Sequence, residues 1–434
     1  MVVPRYYKWY VVGMLWWIAF FNYADRQAIF SVFPLLQKEL QLTPVQLGLL
    51  GSSFAWVYGL CSPLAGTIVD RVRRKTAILA GLHTWSFVCL ATAFSRNLRY
   101  LLFFRAAEGA GETFYFPASM SMLSDYHGRK TRSRALGIHQ SSVYVGTIAG
   151  GFFAGLIAQH YGWRSSFVVF GACGILLGLV LSRFLREPQR GAADLRDVGA
   201  SESTAVPRMS IPDFLRVIRR TPTVACLMLA FMCVNFTTMV LFTWMPSFLY
   251  HKFHLSLAMA GLTATIYIQL ASMVGSPVGG WFADLLRSRT PGGRIIVQGI
   301  GILLQAPFVV WCALTGSLFW LPVALVLWGL FRGLYEANIF ASVFDVVRSE
   351  ARGTATGFMN MMGWLAGGGT APVVIGYLAQ RKGLSTAIAA TSSSYVLAGL
   401  LLFTAVLFFV RRDAAKMEAE IAAGAPSVVR SPAP

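Results

Sequence analysis

An all-α membrane protein of twelve transmembrane helices, built as two six-helix bundles related by pseudo-twofold symmetry, is the fold class the sequence predicts. Three observations predict it. Only 13% of the 434 residues are charged and 56% are hydrophobic, whereas a soluble globular chain carries about 25% charged residues. Apolar stretches of roughly 20 residues, enough to cross a hydrocarbon core about 30 Å thick, recur along the chain. The longest polar interruption, residues 186–221, divides twelve such stretches into six and six.

The stretches centre near residues 20, 56, 86, 110, 146 and 175 before the interruption, and near 236, 270, 304, 330, 366 and 398 after it. This gives a first bundle over 1–185, a linker over 186–221, a second bundle over 222–411 and a tail over 412–434. The first helix lacks a small-residue cleavage site and runs on through charged residues, so it reads as retained. The linker is rich in Gly, Ala, Ser and charge, as flexible connections are. Near its end Ile211, Phe214, Leu215 and Ile218 fall at helical spacing beside Arg216, Arg219 and Arg220, which predicts a short amphipathic helix on the membrane face.

The net charge of +19 raises the question of nucleic acid, and its distribution answers it. The basic clusters "RVRRK" (71–75), "GRKTRSR" (128–134), the 186–220 segment and "RSRTPGGR" (287–294) all fall on one set of alternate connections. That is the positive-inside pattern, which puts both termini in the cytoplasm. A nucleic-acid binder would instead gather its charge on a soluble domain, so no nucleic-acid partner is expected. All six cysteines fall in apolar spans at spacings that fit neither a disulfide framework nor a metal site. Neither a nucleophile–base set nor a metal cluster appears, so no enzyme and no cofactor are expected.

The two halves echo each other. "GTIVD" (66–70) recurs as "GWFAD" (280–284), and Asn22 maps onto Asn235. Gly109, Glu112 and Phe116 map onto Gly333, Glu336 and Phe340; "RALG" (134–137) aligns with "TATG" (354–357), which sets Gln140 against Asn360. The consistent order implies an internal duplication, and parallel repeats around a midplane cavity are a transporter architecture.

On these residues the chain resembles the major facilitator superfamily. "GTIVDRVRRK" (66–75) is similar to the loop motif between helices 2 and 3 of that family, matching at Gly66, Asp70, Arg71, Arg74 and Lys75; Arg73 stands where the motif has its second glycine. The resemblance implies that the glycine permits close helix packing and that Asp70, with its basic followers and the repeat's Asp284, sets the stability of the inward gate.

Seven ionisable residues lie inside predicted spans: Asp25, Arg26, Arg105, Glu108, Glu112, Arg332 and Glu336. A charge at the bilayer centre costs about 2.5–3.5 kcal/mol even on the mild insertion scale, so such residues face a bundle interior, a partner or water. In "FFRAAEGAGETFYFPA" (103–118), Arg105, Glu108 and Glu112 occupy positions i, i+3 and i+7 of one helix face. Glu108 is one turn from Arg105 and can neutralise it. Glu112 has no cation on its own helix. Desolvation then makes it a group able to take up a proton near neutral pH, with a fixed ion pair as the alternative. Arg332 and Glu336, one turn apart, can pair with each other.

An anion entering a low-dielectric cavity must meet positive charge, and an arginine fork suits carboxylate or sulfonate. The amides of Gln140, Asn235 and Asn360 could bond hydroxyls or a second acidic group; Tyr23, Phe340 and Trp244 could supply walls, with ordinary packing as the alternative. His83 and His139 read as helix–helix hydrogen-bond partners.

"NYADR" (22–26) followed by "R…GxGE" (105–112), together with "GWRSSFVVFGACGILLGLVL" (162–181), resembles the anion:cation symporter family, which includes bacterial sugar-acid and other organic-anion proton symporters. The resemblance implies that Asp25 and Glu112 are protonation sites, that Arg26 and Tyr58 hold the substrate anion, and that Arg105 organises the carboxylates. The expected function is proton-coupled uptake of a sugar acid, carboxylate or sulfonate by alternating access, by a monomer in the bacterial cytoplasmic membrane. The alternatives are a drug-efflux antiporter of the same fold, whose helix 5 would carry a glycine-proline motif missing from "GTIAGGFFAGLIA" (146–158), and a transporter-like sensor.

Overall fold

The computed structural model describes residues 6–69, 71–189, 193, 211–348 and 351–422; these are helical almost throughout, with no strand among them. In chain order the helices are α1 (Tyr7–Ser31), α2 (Phe33–Leu40), α3 (Pro44–Val69), α4 (Arg74–Thr92), α5 (Leu98–Glu112), α6 (Tyr115–Tyr126), α7 (Arg129–Tyr161) and α8 (Trp163–Phe184). After the linker follow α9 (Ile211–Arg220), α10 (Pro222–Phe253), α11 (Leu257–Arg287), α12 (Gly293–Leu314), α13 (Trp320–Glu336), α14 (Ile339–Phe344), α15 (Arg352–Met362), α16 (Ala371–Lys382), α17 (Leu384–Ala390), α18 (Ser392–Thr404) and α19 (Val410–Ala422). The predicted amphipathic helix is α9. Residues 194–210 of the linker and 423–434 of the tail lie outside the described residues.

Twelve spans emerge once α5–α6, α13–α14, α15–α16 and α17–α19 are each taken as one interrupted crossing. Eight crossings among the described residues are long and apolar enough to span a membrane by composition alone. The other four are α1, α4, α5–α6 and α15–α16. They carry the charged and amide residues of "NYADRQ", the basic start "RK" at 74–75, the set Arg99 to Glu112, and a glycine-rich π-helical turn at Gly363–Gly368. The spans that composition marks least clearly include those that carry the chemistry.

The chain forms two compact units. One comprises Met1–Thr204, Phe242–Ile266 and Pro372–Gln380; the other comprises Ala205–Leu241, Tyr267–Ala371 and Arg381–Pro434. Chain order and compactness therefore differ, since two stretches C-terminal to the linker group with the first unit. Small residues allow it: a Cβ on Gly151 would fall 2.7 Å from the Gly261 carbonyl, and Gly155, Gly48 and Gly376 meet the backbones of Leu257, Pro372 and Pro44 as closely. Beneath these contacts Val11, Leu15, Ile18, Leu82, Trp85 and Tyr115 form a buried apolar core joining α1, α4 and α6.

The duplication is visible in the backbone. Among the described residues two non-glycine residues have left-handed φ, Gln41 (50°) and His254 (54°), and they stand 213 positions apart, as Asn22 and Asn235 do. Gly162 (81°) and Gly383 (82°) turn the chain at matching junctions, α7–α8 and α16–α17; only glycine takes up this region without a Cβ penalty. Helix α5 ends at Glu112 and helix α13 at Glu336, so the equivalent crossing of each half breaks immediately after its glutamate.

Candidate functional site

The charged turn of α1 is seated by close backbone approach. On one side Gly146 and Gly150 of α7 let Phe20 and Ala24 of α1 approach to a distance that a Cβ would forbid. The next crossing uses the same device: Gly109 of α5 lies under the Phe54 carbonyl of α3. The first crossing joins α1 to α7 and the second joins α3 to α5; the side chain of Arg26 is what reaches from α1 to both α3 and α5.

Arg26 donates twice to Glu112 Oε2, from Nε at 3.1 Å and from a terminal nitrogen at 2.5 Å; the two side chains are 9% and 0% exposed. Its guanidinium also lies over three aromatic rings: Tyr23 at 4.7 Å, Phe54 at 4.8 Å and Tyr58 at 5.1 Å from their centroids. Phe54 and Tyr58 are stacked on each other at 5.8 Å. Desolvated cation–π contacts contribute about 2 kcal/mol or more, so the aromatic box offsets part of the cost of burying this cation. Fully buried Arg105 donates to Glu108 and lies 4.8 Å from the centroid of the same Phe54 ring, which the two arginines share. Glu112, which has no cation on its own helix, is paired across helices by Arg26, the ion-pair alternative of the sequence reading, while Glu108 is paired within its own helix as its spacing predicts. The cross-helix pair could not be read from spacing, because its partners are 86 positions apart.

Asp25 is different. It is fully buried, and neither of its carboxylate oxygens accepts a hydrogen bond among the described residues. The side-chain amide nitrogen of Asn22, one turn earlier, also lacks a partner, as do Oε1 of Glu108, Oε1 of Glu112 and two nitrogens of Arg105. Buried polar atoms are normally satisfied, and unmet capacity concentrates where a site binds or reacts. Around one turn of α1 the protein holds three carboxyls against two guanidiniums.

The second unit holds a weaker version. Arg332 donates to Glu336 at 2.5 Å within α13, and also reaches Gln269 Oε1 at 3.3 Å and Ser272 Oγ at 3.4 Å. Glu336 is the counterpart of Glu112, but Arg332 stands where the first half has Glu108. Its side chain is 27% exposed against 0% for Glu112. Asn235 donates to the Phe231 carbonyl of its own helix at 3.0 Å and packs on Gly363 and Gly367 of the π-helical turn. Phe340 meets Phe231 at 6.3 Å. Asn360 is half-buried, and in the first unit Gln140 is exposed. Thus Tyr23, Asp25, Arg26, Tyr58, Arg105 and Glu112 come together, whereas Asn235 and Asn360 belong to the other unit and Gln140 is exposed rather than part of the buried cluster. Trp244, offered as a wall, is buried with its indole donating to the Pro372 carbonyl at 3.1 Å.

The histidines are packing partners. Tyr115 donates to the Leu15 carbonyl at 2.6 Å, so its one hydroxyl proton is used and the His139 Nε2 contact at 2.8 Å has His139 as donor. His83, expected to bond between helices, instead donates from Nδ1 to the Leu79 carbonyl of its own helix at 2.7 Å and only packs against Gly178 of α8. The cysteines are free, but Cys173 is exposed rather than buried, on an α8 face lined by Leu176 and Leu179.

At the start of α4, Arg74 pairs with Asp125, and the Glu187 carboxylate accepts the backbone N–H groups of Arg74 and Lys75 at 2.9 and 2.7 Å. A carboxylate at a helix N-terminus satisfies orphan donors and complements the helix dipole. In the second unit Arg294 pairs with Asp284 and Asp345, both at 2.9 Å, and Arg287 with Asp345 at 3.3 Å. Asp125, Glu187, Arg294 and Asp345 were not singled out from sequence. The signal was present, because the offset of 220 that aligns "RALG" with "TATG" also carries Arg74 onto Arg294 and Asp125 onto Asp345. Of the motif itself, Arg71 is exposed and Asp70 lies outside the described residues. Gly66 and its counterpart Gly280 have nothing within 4 Å of where a Cβ would stand, so the close packing implied by the motif is not made here.

The comparisons with known proteins agree with this architecture. The family description "Major Facilitator Superfamily" matches residues 15–368 and 248–433. A probable galactarate/D-glucarate transporter of Bacillus subtilis is 26% identical over 87% of this chain and 86% of its own length. A probable sulfoacetate transporter of Cupriavidus necator is 27% identical over 86% and 87%. Among solved structures, a bacterial homologue of the human lysosomal transporter Spinster aligns with a TM-score of 0.83 at 23% identity, covering 95% of this chain and 99% of that one. The duplicated helices, the buried charges and the length of these matches lead to one conclusion: this chain is a multi-pass membrane protein, a transporter and not an enzyme, and it belongs to the Major Facilitator Superfamily.

Proposed function

We propose that the protein takes up an organic anion together with protons, by alternating access, across the bacterial cytoplasmic membrane with both termini inside. The single observation that carries this reading is the Arg26–Glu112 pair beside unpartnered Asp25. Arg26 is the cation best suited to a carboxylate or sulfonate, and Glu112 occupies the same donors. Substrate and Glu112 compete for one guanidinium. A proton delivered to Glu112 weakens its hold and frees Arg26 for the anion, which links proton uptake to substrate binding without further machinery. Asp25 is the second proton site, Tyr58 and Tyr23 are walls that also hold Arg26, and Arg105 keeps Glu108 neutralised. Asn235, Asn360 and Gln140 contribute specificity, and Gly66, Asp70, Arg71, Arg74 and Asp284 form the gate.

The relatives' names support the substrate class: sugar diacids in one case and a sulfonated carboxylate in the other. The test is transport in proteoliposomes. Glu112→Gln should lose accumulation driven by an inward pH gradient, so that the anion only equilibrates, while retaining exchange of labelled for unlabelled anion. Accumulation by the variant that still follows the pH gradient would remove Glu112 from the coupling.

A further inference from the structure

On the outer flank of the first unit, away from the buried charges, the start of α1 and the end of α8 enclose a groove of about 610 Å³. Its wall on α1 is the series Tyr7, Tyr10, Met14 and Trp17, spaced three or four residues apart and so on one face. Tyr10, Trp17 and Phe184 are 69%, 50% and 61% exposed, so the groove opens to the exterior as a large apolar surface. Arg183 and Arg186 stand at one end, and neither forms an ion pair with a carboxylate among the described residues. The nearest acid in sequence, Glu187, has both oxygens committed to the backbone of Arg74 and Lys75.

The arginine end is built rather than incidental. The Tyr7 hydroxyl donates to the Phe184 carbonyl at 2.6 Å and accepts the Arg186 backbone N–H at 2.9 Å; Tyr126 donates to the Arg186 carbonyl at 3.0 Å. The backbone of Arg186 is therefore fixed from two helices, and its guanidinium lies 5.5 Å over the Tyr7 ring. Aromatic residues of this kind settle at the level of lipid headgroups, and guanidinium forks match phosphate oxygens. Two cations with no carboxylate partner among the described residues, above an apolar aromatic wall, suit a molecule with an anionic phosphodiester head and acyl chains. They disfavour a zwitterionic head whose ammonium would face them. A free phosphate would leave the wall uncovered.

We infer that the α1–α8 groove binds an anionic phospholipid, its phosphodiester on Arg183 and Arg186 and its chains along Tyr10, Trp17 and Phe184. The inference is independent of the transport reading. Native mass spectrometry of the purified full chain, titrated with phosphatidylglycerol, phosphatidylcholine or inorganic phosphate, tests it. Phosphatidylglycerol should be retained in preference to phosphatidylcholine. Arg183→Gln combined with Arg186→Gln should lower that retention by about ten- to thirtyfold, the scale expected of two arginines facing an anionic headgroup. Phosphatidylcholine adducts should not change. Neutralising Arg219 and Arg220 on α9 instead should leave phosphatidylglycerol binding intact, and Tyr7→Phe, which spares both groove arginines, should lower it by a smaller factor. Equal retention of the two lipids, an undiminished signal in the double variant, an equal loss in the α9 control, or displacement by inorganic phosphate would each overturn the assignment.

Discussion

The charged turn of α1 and its counterpart in α10 have diverged from a common pattern, and the divergence explains the two glutamates. Asn22 and Asn235 correspond, but where the first half continues with Asp25 and Arg26 the second has Thr238 and Met239. Glu112 thus finds its cation on another helix, fully buried in an aromatic box. Glu336 has no such neighbour and takes Arg332 from its own helix, where it stays partly exposed. An i,i+4 pair is a local device that changes little when helices shift; a pair between α1 and α5 reports on their separation. The lesson is that duplication supplied two equivalent frameworks, and only the first carries its glutamate in a buried ion pair between two helices.

The comparison predicts graded damage. Arg26→Gln should be the most severe change. It strands the buried Glu112 carboxylate, and breaking a buried pair in this way costs about 3–5 kcal/mol; the variant should unfold earlier in a thermal melt and bind no anion. Adding Glu112→Gln should recover the thermal stability without recovering transport, and a double variant as unstable as the single one would mean that the pair is not the cause. Arg332→Gln should be milder, with transport lowered by about tenfold and stability by about 1–2 kcal/mol, because Glu336 is partly exposed and can be hydrated. Damage equal to that of Arg26→Gln would erase the proposed division between the halves.

The clamps at the helix ends differ in exposure rather than between halves, since Asp125 corresponds to Asp345, which is 16% exposed, and Asp284 to Asp70. Asp125 is 9% exposed where it pairs with Arg74, whereas Asp284 is 72% exposed where it pairs with Arg294. Asp125→Asn should therefore lower the melting midpoint by more than Asp284→Asn, whose effect should be within about 1 kcal/mol. The smallest effect concerns Glu39, which accepts bonds from Trp163 and Arg164; the repeat places Lys252 at its position. Partial burial pushes the Glu39 carboxyl up, but the bonds from Arg164 and Trp163 and the charge of Arg164 outweigh it and hold the group below its ordinary value of 4.5. Its stabilisation is therefore complete above that ordinary value and fades as pH falls through the lowered one. Glu39→Gln should cost only a few tenths of a kcal/mol at pH 7, since the pair is exposed and screened, and the difference from wild type should vanish in strong acid.

The sequence by itself determined the membrane class, the twelve crossings, the duplication and the local pairs. The class and crossings depend on composition, the duplication on motifs that recur in order, and the local pairs on spacings within one helix, as Arg105–Glu108 and Arg332–Glu336 show. It also marked which span carries the unusual charges. Only the tertiary structure decided that Glu112 belongs to Arg26, that Asp25, of the three carboxyls of the buried cluster, is the one without a hydrogen bond, and that Glu187 and Asp125 hold the start of α4. It likewise showed Asn235 bonding to its own helix and Gly66 without a close neighbour. The reason is geometric. A helix period fixes which side chains share a face, but the pairing of faces is set where backbones can approach, at Gly109, Gly146 and Gly150, and those approaches join positions far apart in the chain.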